Sequence, residues 1–248
     1  NENEGIKWLQ FEIFAPFPEL IHGVFLRSGG VSKPPYASLN LTEDFGDHPN
    51  DVKENLERIK SILGLEHTFH LQQIHGNDVV VYHEKDKHSR PKADASLTNH
   101  TKIGLMIQHA DCQAAIFYDP VNKVIANAHA GWKGSAKNIF ASTLSEMRKN
   151  YGTLPKDVRV AISPSLGPNH AEFINYEKEL PEEFWKFQTK DKLFDFWRIS
   201  EWQLTHAGVN ENHIQISKIC TYANSGECFS YRREKLTGRH GTVVALKQ

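Results

Sequence analysis

The sequence predicts a mixed α/β protein, and two observations support this. Short apolar runs bounded by glycine or proline alternate along the 248 residues with amphipathic segments, a pattern typical of strands alternating with helices. No internal repeat, linker or low-complexity tract divides the chain. We therefore expect one domain over residues 1–248, with 39% hydrophobic residues to form its core.

At the N-terminus, the segments FEIFAPF and LIHGVFLR have the composition of strands. The second ends at Arg27 and is followed by the turn at Gly29 and Gly30. The free N–H groups of such a turn, together with the guanidinium of Arg27, could hold an anion. A plain hairpin turn is the alternative.

Two segments show the apolar spacing of amphipathic helices. The first runs from Asp51, with Glu54 completing a capping box, to a stop at Gly64. The second is predicted to begin with Ser135 as its cap and to end at Gly152. Its positive N-terminal end would follow the HAGW turn directly and would favour an anionic group there.

The central stretch from residue 103 to Ser135 indicates two or three buried strands separated by polar turns. One turn contains Asp111 and Cys112, and the other contains His129. Upstream, the apolar run VVVY follows His75, and a carboxylate stands between two alanines at residue 94. Polar residues that end neighbouring strands are expected to share one edge, where we look for chemistry.

The last third of the chain is predicted to hold two helices over residues 176–208, whose many aromatic residues are interpreted as core packing. The segments HIQISKICTY and GTVVALK follow as strands. Between them lie FSYRR and TGR, which are rich in arginine.

Charge and composition exclude several classes of partner. Lys and Arg number 29 against 30 Asp and Glu, a net charge of −1, so neither nucleic acid nor an anionic membrane surface is an expected partner. No apolar run reaches the roughly 18 residues of a spanning helix, and the start lacks a signal-peptide pattern. With three cysteines, free thiols and a cytoplasmic location are expected, although Cys220 and Cys228 could pair with each other. No protein partner is evident.

Three residues at predicted strand ends could form a metal site: His75, Cys112 and His129. Their wide spacing differs from that of zinc fingers and suits a catalytic site in which three ligands leave the fourth position open. Imidazole and thiolate bind either zinc or copper. Each residue could instead be structural, since the chain has 14 histidines and buried cysteines are usually inert. A further alternative makes Cys112 a nucleophile activated by His129, with Asp111 orienting the base.

Several segments, in order, resemble one family, the laccase-domain or multicopper polyphenol oxidoreductases. They span residues 22–246: HGVFLRSGGVSKPPYASLNL, LQQIHGNDVVVY, ADCQAAIFYD, AHAGWKGS and CTYANSGECFSYRREKLTGRHG. Members of this family are described as zinc-dependent purine nucleoside phosphorylases that also deaminate adenosine and phosphorolyse methylthioadenosine. The resemblance implies a nucleoside and phosphate as substrates, and His75, Cys112 and His129 as metal ligands. It also implies a single-domain α-β-β-α sandwich with mixed sheets, similar to the catalytic domains of deamidating toxins.

We assign hypothetical roles around these ligands. Arg27 and Arg233 are candidates for phosphate binding, Asn40 for a substrate contact, and Asp94 and Asp111 for proton transfer or contact with the base. The functional alternatives are a copper-dependent polyphenol oxidase and a Cys–His hydrolase or amidase acting on cell-wall precursors.

The chain departs from the family pattern beside the ligands. Lys133 replaces the common arginine of HAGWRG, Ala114 replaces a proline, and Gln108-His109 stands where a small hydroxyl residue is common. Whether His109 adds a fourth ligand is left open by the sequence. These changes bear on substrate preference more than on the three ligands.

Overall fold

The computed structural model describes residues 1–247, which form two six-stranded sheets and six α-helices. The strands are β1 (Glu2–Asn3), β2 (Ile6–Leu9), β3 (Leu20–Phe25), β4 (His67–His70), β5 (Val79–Val81), β6 (Ala95–Thr98), β7 (Ile103–His109), β8 (Gln113–Asp119), β9 (Val124–Ala130), β10 (Arg159–Ile162), β11 (Gln188–Lys190), β12 (Leu193–Phe194), β13 (Ile214–Ile216) and β14 (His240–Leu246). The helices are α1 (Pro49–Leu63), α2 (Trp132–Ala136), α3 (Ile139–Tyr151), α4 (Tyr176–Glu179), α5 (Phe196–His206) and α6 (Tyr231–Glu234).

Both large sheets are mixed, which confirms the predicted fold class. The first has the order β1-β2-β3-β14-β7-β4, antiparallel except for the β4–β7 pair. The second has the order β13-β10-β8-β9-β6-β5, with parallel pairs at both edges. The predicted likeness to deamidating toxins stays a prediction.

The two sheets pack face to face, and helices cover their outer faces. Leu105 and Val244 of the first sheet share a core with Ile116 and Ile125 of the second. Helix α1 packs on the outside of the first sheet through Ile59, while α3 and α5 pack on the outside of the second.

Glycines end the two predicted helices as expected, but the helix starts differ from the prediction. Gly64 and Gly152 have φ of 66° and 72°, the left-handed conformation that favours glycine at a helix end. Helix α1 begins earlier than predicted and is capped by His48, not by Asp51. Helix α3 begins only after Asn138, whose side chain caps it.

The later start of α3 removes the predicted positive helix end beside the HAGW turn. The segment following that turn is the five-residue helix α2, in which Ser135 is buried. The main helix therefore begins farther along the chain, and its N-terminal end does not directly follow the HAGW turn as the predicted anion-binding role requires.

Another predicted element is wrong, because FEIFAPF is not a strand but contains a 3-10 turn, Glu12–Phe14. Residues 176–208 hold two α-helices, as predicted, but the first, α4, is a single turn, and a 3-10 segment and the β11–β12 hairpin separate it from α5. Within residues 1–247, no helix is both long and apolar enough to cross a membrane. All three cysteines are free thiols.

Candidate metal centre and adjoining cavities

The second sheet gathers the three candidate ligands at one end. His75 precedes β5, Cys112 precedes β8 and His129 lies near the end of β9. Because β8 and β9 are antiparallel, with Gln113 opposite Ala130, the start of one meets the end of the other. The ligand atoms of His75, Cys112 and His129 all lie within 4.8 Å of one another.

Asp94 holds this cluster together from directly before β6. Its Oδ1 accepts hydrogen bonds from the His129 Nδ1 (2.8 Å) and the His75 backbone N–H (2.9 Å). Its Oδ2 accepts from the backbone N–H groups of Gly76 (2.6 Å) and Ile74 (3.2 Å). Burial alone would raise the pKa of this fully buried carboxyl, but these hydrogen bonds lower it. Asp94 therefore fixes the His75 loop and leaves His129 Nε2 free for the cluster.

The thiol of Cys112 is poised to ionise. Burial by itself would raise its pKa, but the charge of His129 and hydrogen bonds from both imidazoles lower it to about 6. The reciprocal effect holds for His129: burial would lower its pKa, whereas the thiolate and Asp94 raise it to about 9. The lowered pKa of Cys112 favours its thiolate, the form that binds metals.

Gly131 leaves space for the three ligand side chains. A β-carbon at this residue would stand 2.9 Å from His75 Cδ2, 3.1 Å from Cys112 Sγ and 3.6 Å from His129 Cε1. Two of these distances are shorter than ordinary contacts between non-bonded atoms. Only glycine lets the backbone pass so close to the three ligands.

The donor set fits a metal ion. Two imidazoles and one thiolate form the two-histidine, one-cysteine combination that binds zinc or copper, and a carboxylate behind a ligand histidine is the usual partner in such sites. His109 does not belong to the cluster, because its buried Nε2 is 2.8 Å from Thr242 Oγ1. In the described part of the chain, no other group of three or more such residues could hold an ion.

Two cavities adjoin the cluster. Cavity A has a volume of about 560 Å³, and its lining combines the aromatic side chains of Trp132, Phe173 and Phe196 with charged ones that include Lys235. Cavity B, about 380 Å³, is lined by the polar side chains of Thr42, Gln73 and Gln108 together with Arg239 and Phe45. Four residues line both cavities: His75, Ala110, Cys112 and Tyr231. The cavities therefore meet at the metal cluster.

Arg239 is the cation of cavity B. Its Nη1 donates to the carbonyls of Thr237 (2.7 Å) and Gly238 (3.1 Å), and its guanidinium carbon lies 4.1 Å from the centre of the Phe45 ring. Among residues 1–247 its Nε and Nη2 have no hydrogen-bond partner. Half of the planar fork is thus free to bind an anion.

Asn40 is placed behind Arg239 and not in a cavity. It is fully buried, and its Oδ1 accepts from the Arg239 backbone N–H at 2.9 Å. Its Nδ2 donates to the Thr42 carbonyl (2.9 Å) and to Asp47 (2.8 Å). Asn40, which was predicted to contact the substrate, therefore supports the backbone of Arg239 instead.

The structure does not bring Arg27 or Arg233 to the cluster, and neither lines a cavity. Both guanidinium groups bind the Glu234 carboxylate, at 3.1 and 2.9 Å respectively. Arg27 also donates to the carbonyls of Ala37 and Ser225, and Arg233 to three carbonyls between residues 221 and 228. Because their donors are occupied by protein acceptors, these arginines lack free groups for a phosphate.

Asp111 lines cavity A, but its carboxylate is occupied as well. Oδ1 accepts from the Thr221 hydroxyl and Oδ2 from the Arg232 backbone N–H, both at 2.6 Å. Its φ of 82° places it in the left-handed region, which Asp tolerates better than most residues. It does not orient His129, since Asp94 makes that contact. These two hydrogen bonds suit a residue that holds neighbouring segments of the chain in position.

Comparison with known proteins identifies the family of this chain. Residues 21–247 match the family model described as multi-copper polyphenol oxidoreductase laccase. The chain belongs to this family. It is 32% identical over 230 residues to the purine nucleoside phosphorylase YfiH of Escherichia coli, covering 89% of this chain and 91% of that protein.

Solved structures extend the likeness to the laccase-family fold. The chain is 30% identical over 264 residues to the purine nucleoside phosphorylase YlmD of Geobacillus stearothermophilus, covering 99% and 95% of the two chains. The crystal structure of that YlmD superposes with a TM-score of 0.90 over 100% of this chain and 98% of its own, at 28% identity. Bacillus licheniformis YfiH gives a TM-score of 0.90 at 27% identity, covering 99% and 98%.

Sequence reasoning missed the residues that shape the cavities of this laccase-family chain. Phe196 was interpreted as packing, yet it lines cavity A with Trp132 and Phe173. Arg239 and Tyr231 lie in the TGR and FSYRR segments, whose arginine content was the available signal, but that signal pointed to Arg233. Only the tertiary contacts distinguish the occupied arginines from the free one.

Proposed function

We propose that this chain is a zinc-dependent purine nucleoside phosphorylase whose zinc ligands are His75, Cys112 and His129. The observation that supports this best is the meeting of two cavities at one candidate metal cluster, with an aromatic wall in one and the free donors of Arg239 in the other. A phosphorolysis must hold a planar aromatic base and an anion on two sides of the same sugar carbon. An aromatic wall and a free guanidinium in adjoining cavities fit that requirement.

Cavity A is the proposed base subsite. The ring centres of Trp132 and Phe173 are 6.1 Å apart and those of Phe173 and Phe196 are 5.2 Å apart, so aromatic faces and edges form a continuous wall. A purine is a flat aromatic ring, and such rings pack favourably in offset or edge-to-face contacts. The volume of about 560 Å³ is within the usual range for small-molecule sites.

Cavity B is the proposed phosphate subsite, with Arg239 in place of the Arg27 and Arg233 predicted from sequence. Its free Nε and Nη2 groups can make two parallel hydrogen bonds to phosphate oxygens. Burial lowers the pKa of Arg239, but an arginine stays protonated in proteins. A partly desolvated guanidinium binds an anion more strongly than one in water.

The proposed reaction transfers a ribosyl group. A phosphate oxygen forms a bond to the ribose C1′, the bond from C1′ to the purine nitrogen breaks, and that nitrogen leaves with its electron pair and acquires a proton. The products are the free purine and ribose 1-phosphate. A bound divalent ion would supply positive charge to an oxygen in this site. Arg239 orients the phosphate, the aromatic wall orients the base, and Asp94 keeps His129 in the tautomer that presents Nε2.

The same site is proposed to deaminate adenosine and to phosphorolyse methylthioadenosine. Deamination replaces the C6 amino group by a water oxygen and releases ammonia, so it requires no phosphate. Methylthioadenosine has the same base and glycosidic bond as adenosine and would use both subsites.

A nucleoside panel with and without phosphate tests the proposal. Purified protein with its metal content measured by elemental analysis should release hypoxanthine from inosine only when inorganic phosphate is present. Chelation should abolish this release, and zinc should restore it. Protein that carries stoichiometric zinc but releases no base from inosine, adenosine or methylthioadenosine would refute the phosphorylase assignment.

A Cys–His hydrolase is a second candidate, because Asp94, His129 and Cys112 are joined in series by a hydrogen bond and a close ionic contact. Turnover by metal-stripped protein that a thiol reagent stops would favour it, with Asp94 and not Asp111 orienting the base. The copper-oxidase alternative predicts phenol oxidation after copper loading. One three-ligand cluster within residues 1–247 gives less support to a reaction that uses several copper ions.

A further inference from the structure

Tyr231 occupies a special place between the two cavities. Of the four residues that line both, His75 and Cys112 belong to the metal cluster and Ala110 adjoins it, whereas Tyr231 comes from a different part of the chain. Its side chain is 52% exposed. A large aromatic ring left half in solvent above a candidate site has an apolar face available for a ligand.

The ring is flanked by the cations of both cavities. The guanidinium carbon of Arg239 lies 5.9 Å from its centre and Lys235 Nζ lies 5.5 Å from it. Arg239 lines cavity B and Lys235 lines cavity A. Tyr231 therefore stands where the two cavities join, with one cation from each cavity over its ring.

Helix α6, which carries Tyr231, is only four residues long, too short to be stable without outside contacts. Asp111 supplies one of these contacts, because its Oδ2 accepts from the Arg232 backbone N–H while its Oδ1 accepts from the Thr221 hydroxyl. The Ser230 hydroxyl caps the same turn by accepting from Arg233 N–H at 3.3 Å. The Asp111 carboxylate thus connects the strand end before Cys112 to the turn that presents Tyr231.

We infer that Tyr231 is a substrate-contacting residue that packs its ring on the sugar of the bound nucleoside, and that Asp111 is the residue that positions it. This inference rests on the proposed function, because a base in cavity A and a phosphate in cavity B place the sugar at the junction beneath Tyr231. The tyrosine closes this junction and excludes water from the bond that breaks. Asp111 acts through Tyr231 and takes no proton.

Steady-state kinetics with inosine at saturating inorganic phosphate provide the first test. Tyr231→Ala should raise KM for inosine by about tenfold or more, since it removes an aromatic packing surface, with metal content unaltered. Tyr231→Phe should recover most of that loss, because it keeps the ring. Leu236→Ala is the matched control: Leu236 is 51% exposed on the same segment but lines neither cavity, and its KM should equal that of the unaltered protein.

Three variants separate the positioning role of Asp111 from a purely conformational one. Gly tolerates the φ of 82° but has no carboxylate, so Asp111→Gly should raise KM about as much as Tyr231→Ala does. Asn tolerates the same φ and can accept from Arg232 N–H, so Asp111→Asn should rescue most of the effect. In the double variant Asp111→Gly/Tyr231→Ala the two effects should not add, because residues acting through one contact are coupled.

The possible failures are distinguishable. An unchanged KM in Tyr231→Ala, in protein that does phosphorolyse inosine, overturns the inference and leaves the proposed function standing. Additive effects in the double variant, or loss of metal from Asp111→Gly, overturn the positioning role of Asp111. Absence of phosphate-dependent turnover by the unaltered, metal-loaded protein overturns the proposed function and this inference with it.

Discussion

Replacing Asp94 by asparagine should weaken metal binding while leaving the fold intact. The carboxylate accepts four hydrogen bonds, two at each oxygen, from His129 Nδ1 and from the backbone of residues 74–76. An asparagine has the same shape but presents one oxygen and one NH2 group. Whichever way the amide turns, one pair of donors faces another donor, and either His129 or the loop that carries His75 loses its fixed orientation.

The size of the effect follows from which contacts are lost. Removing a hydrogen-bond partner from a ligand histidine usually lowers metal affinity about 10- to 100-fold, or about 1.4–2.7 kcal/mol of binding free energy. Two hydrogen bonds to a charged acceptor are lost here, each worth about 1.5–3 kcal/mol when well formed. We expect the rest of this lost free energy, beyond what weakens zinc binding, to appear as a lower free energy of unfolding.

Zinc competition against a chromophoric chelator at pH 7 measures the affinity, and thermal unfolding of the metal-free protein measures stability. Asp119→Asn is the matched control, because Asp119 is equally buried and its Oδ1 accepts from the N–H groups of Val121 and Asn122 at the far end of β8. The control should unfold at a lower temperature but bind zinc normally. Equal zinc affinity in Asp94→Asn and the unaltered protein, or an equal loss in both variants, would refute the reasoning.

Three further outcomes are expected. Gly131→Ala should bind zinc at least about tenfold more weakly, because its β-carbon meets all three ligands. Gly226→Ala, with open space around the new β-carbon, should bind zinc normally. Equal zinc titrations of the two variants would contradict this. Arg239→Lys should raise KM for phosphate more than KM for inosine, because lysine keeps the charge but loses the fork; an effect confined to inosine would move the phosphate elsewhere. Burial lowers the pKa of His22 to about 4 and of His240 to about 3. Below about pH 6.5 these histidines therefore bind protons in the unfolded chain but stay neutral in the folded one. Unfolding free energy measured with urea in metal-free protein should therefore fall from about pH 6.5 toward pH 4, by about 1.4 kcal/mol per pH unit for each histidine; His22→Gln should show a shallower fall, and an unchanged slope would exclude His22 as a cause.

Local patterns predicted the strands that carry the ligands because those strands are buried on both faces. The runs that became β7, β8 and β9 are apolar along almost their whole length and end at polar turns, a signal that needs no tertiary information. Cys112 and His129 were therefore predictable as residues at strand ends, whereas His75 precedes β5, which is only partly buried. The closeness of these two residues and His75 was a hypothesis, which ligand atoms lying within 4.8 Å of one another support.

Partners distant in sequence could not be predicted in the same way. Asp94 contacts His129 because β6 pairs antiparallel with β9, with Ala95 opposite Ala128. Nothing in the sequence near residue 94 specifies that pairing. Similarly, whether the guanidinium of an arginine is free depends on which carbonyls surround it. Arg27 donates to carbonyls of a segment about 200 residues away in the sequence. Side-chain type alone cannot decide such a case.

The two cavities draw on different sheets because the chain crosses from one sheet to the other at a turn that looks ordinary in the sequence. Strands β7 and β8 are neighbours in the chain but belong to different sheets, so Ala110, Asp111 and Cys112 carry the chain from one sheet to the other. Cavity B takes Gln108 and Arg239 from the first sheet's side, and cavity A takes Gln113 from the second. Arg239, which directly precedes β14 of the first sheet, and the metal ligands at the strand ends of the second sheet thus come from different sheets that share one core.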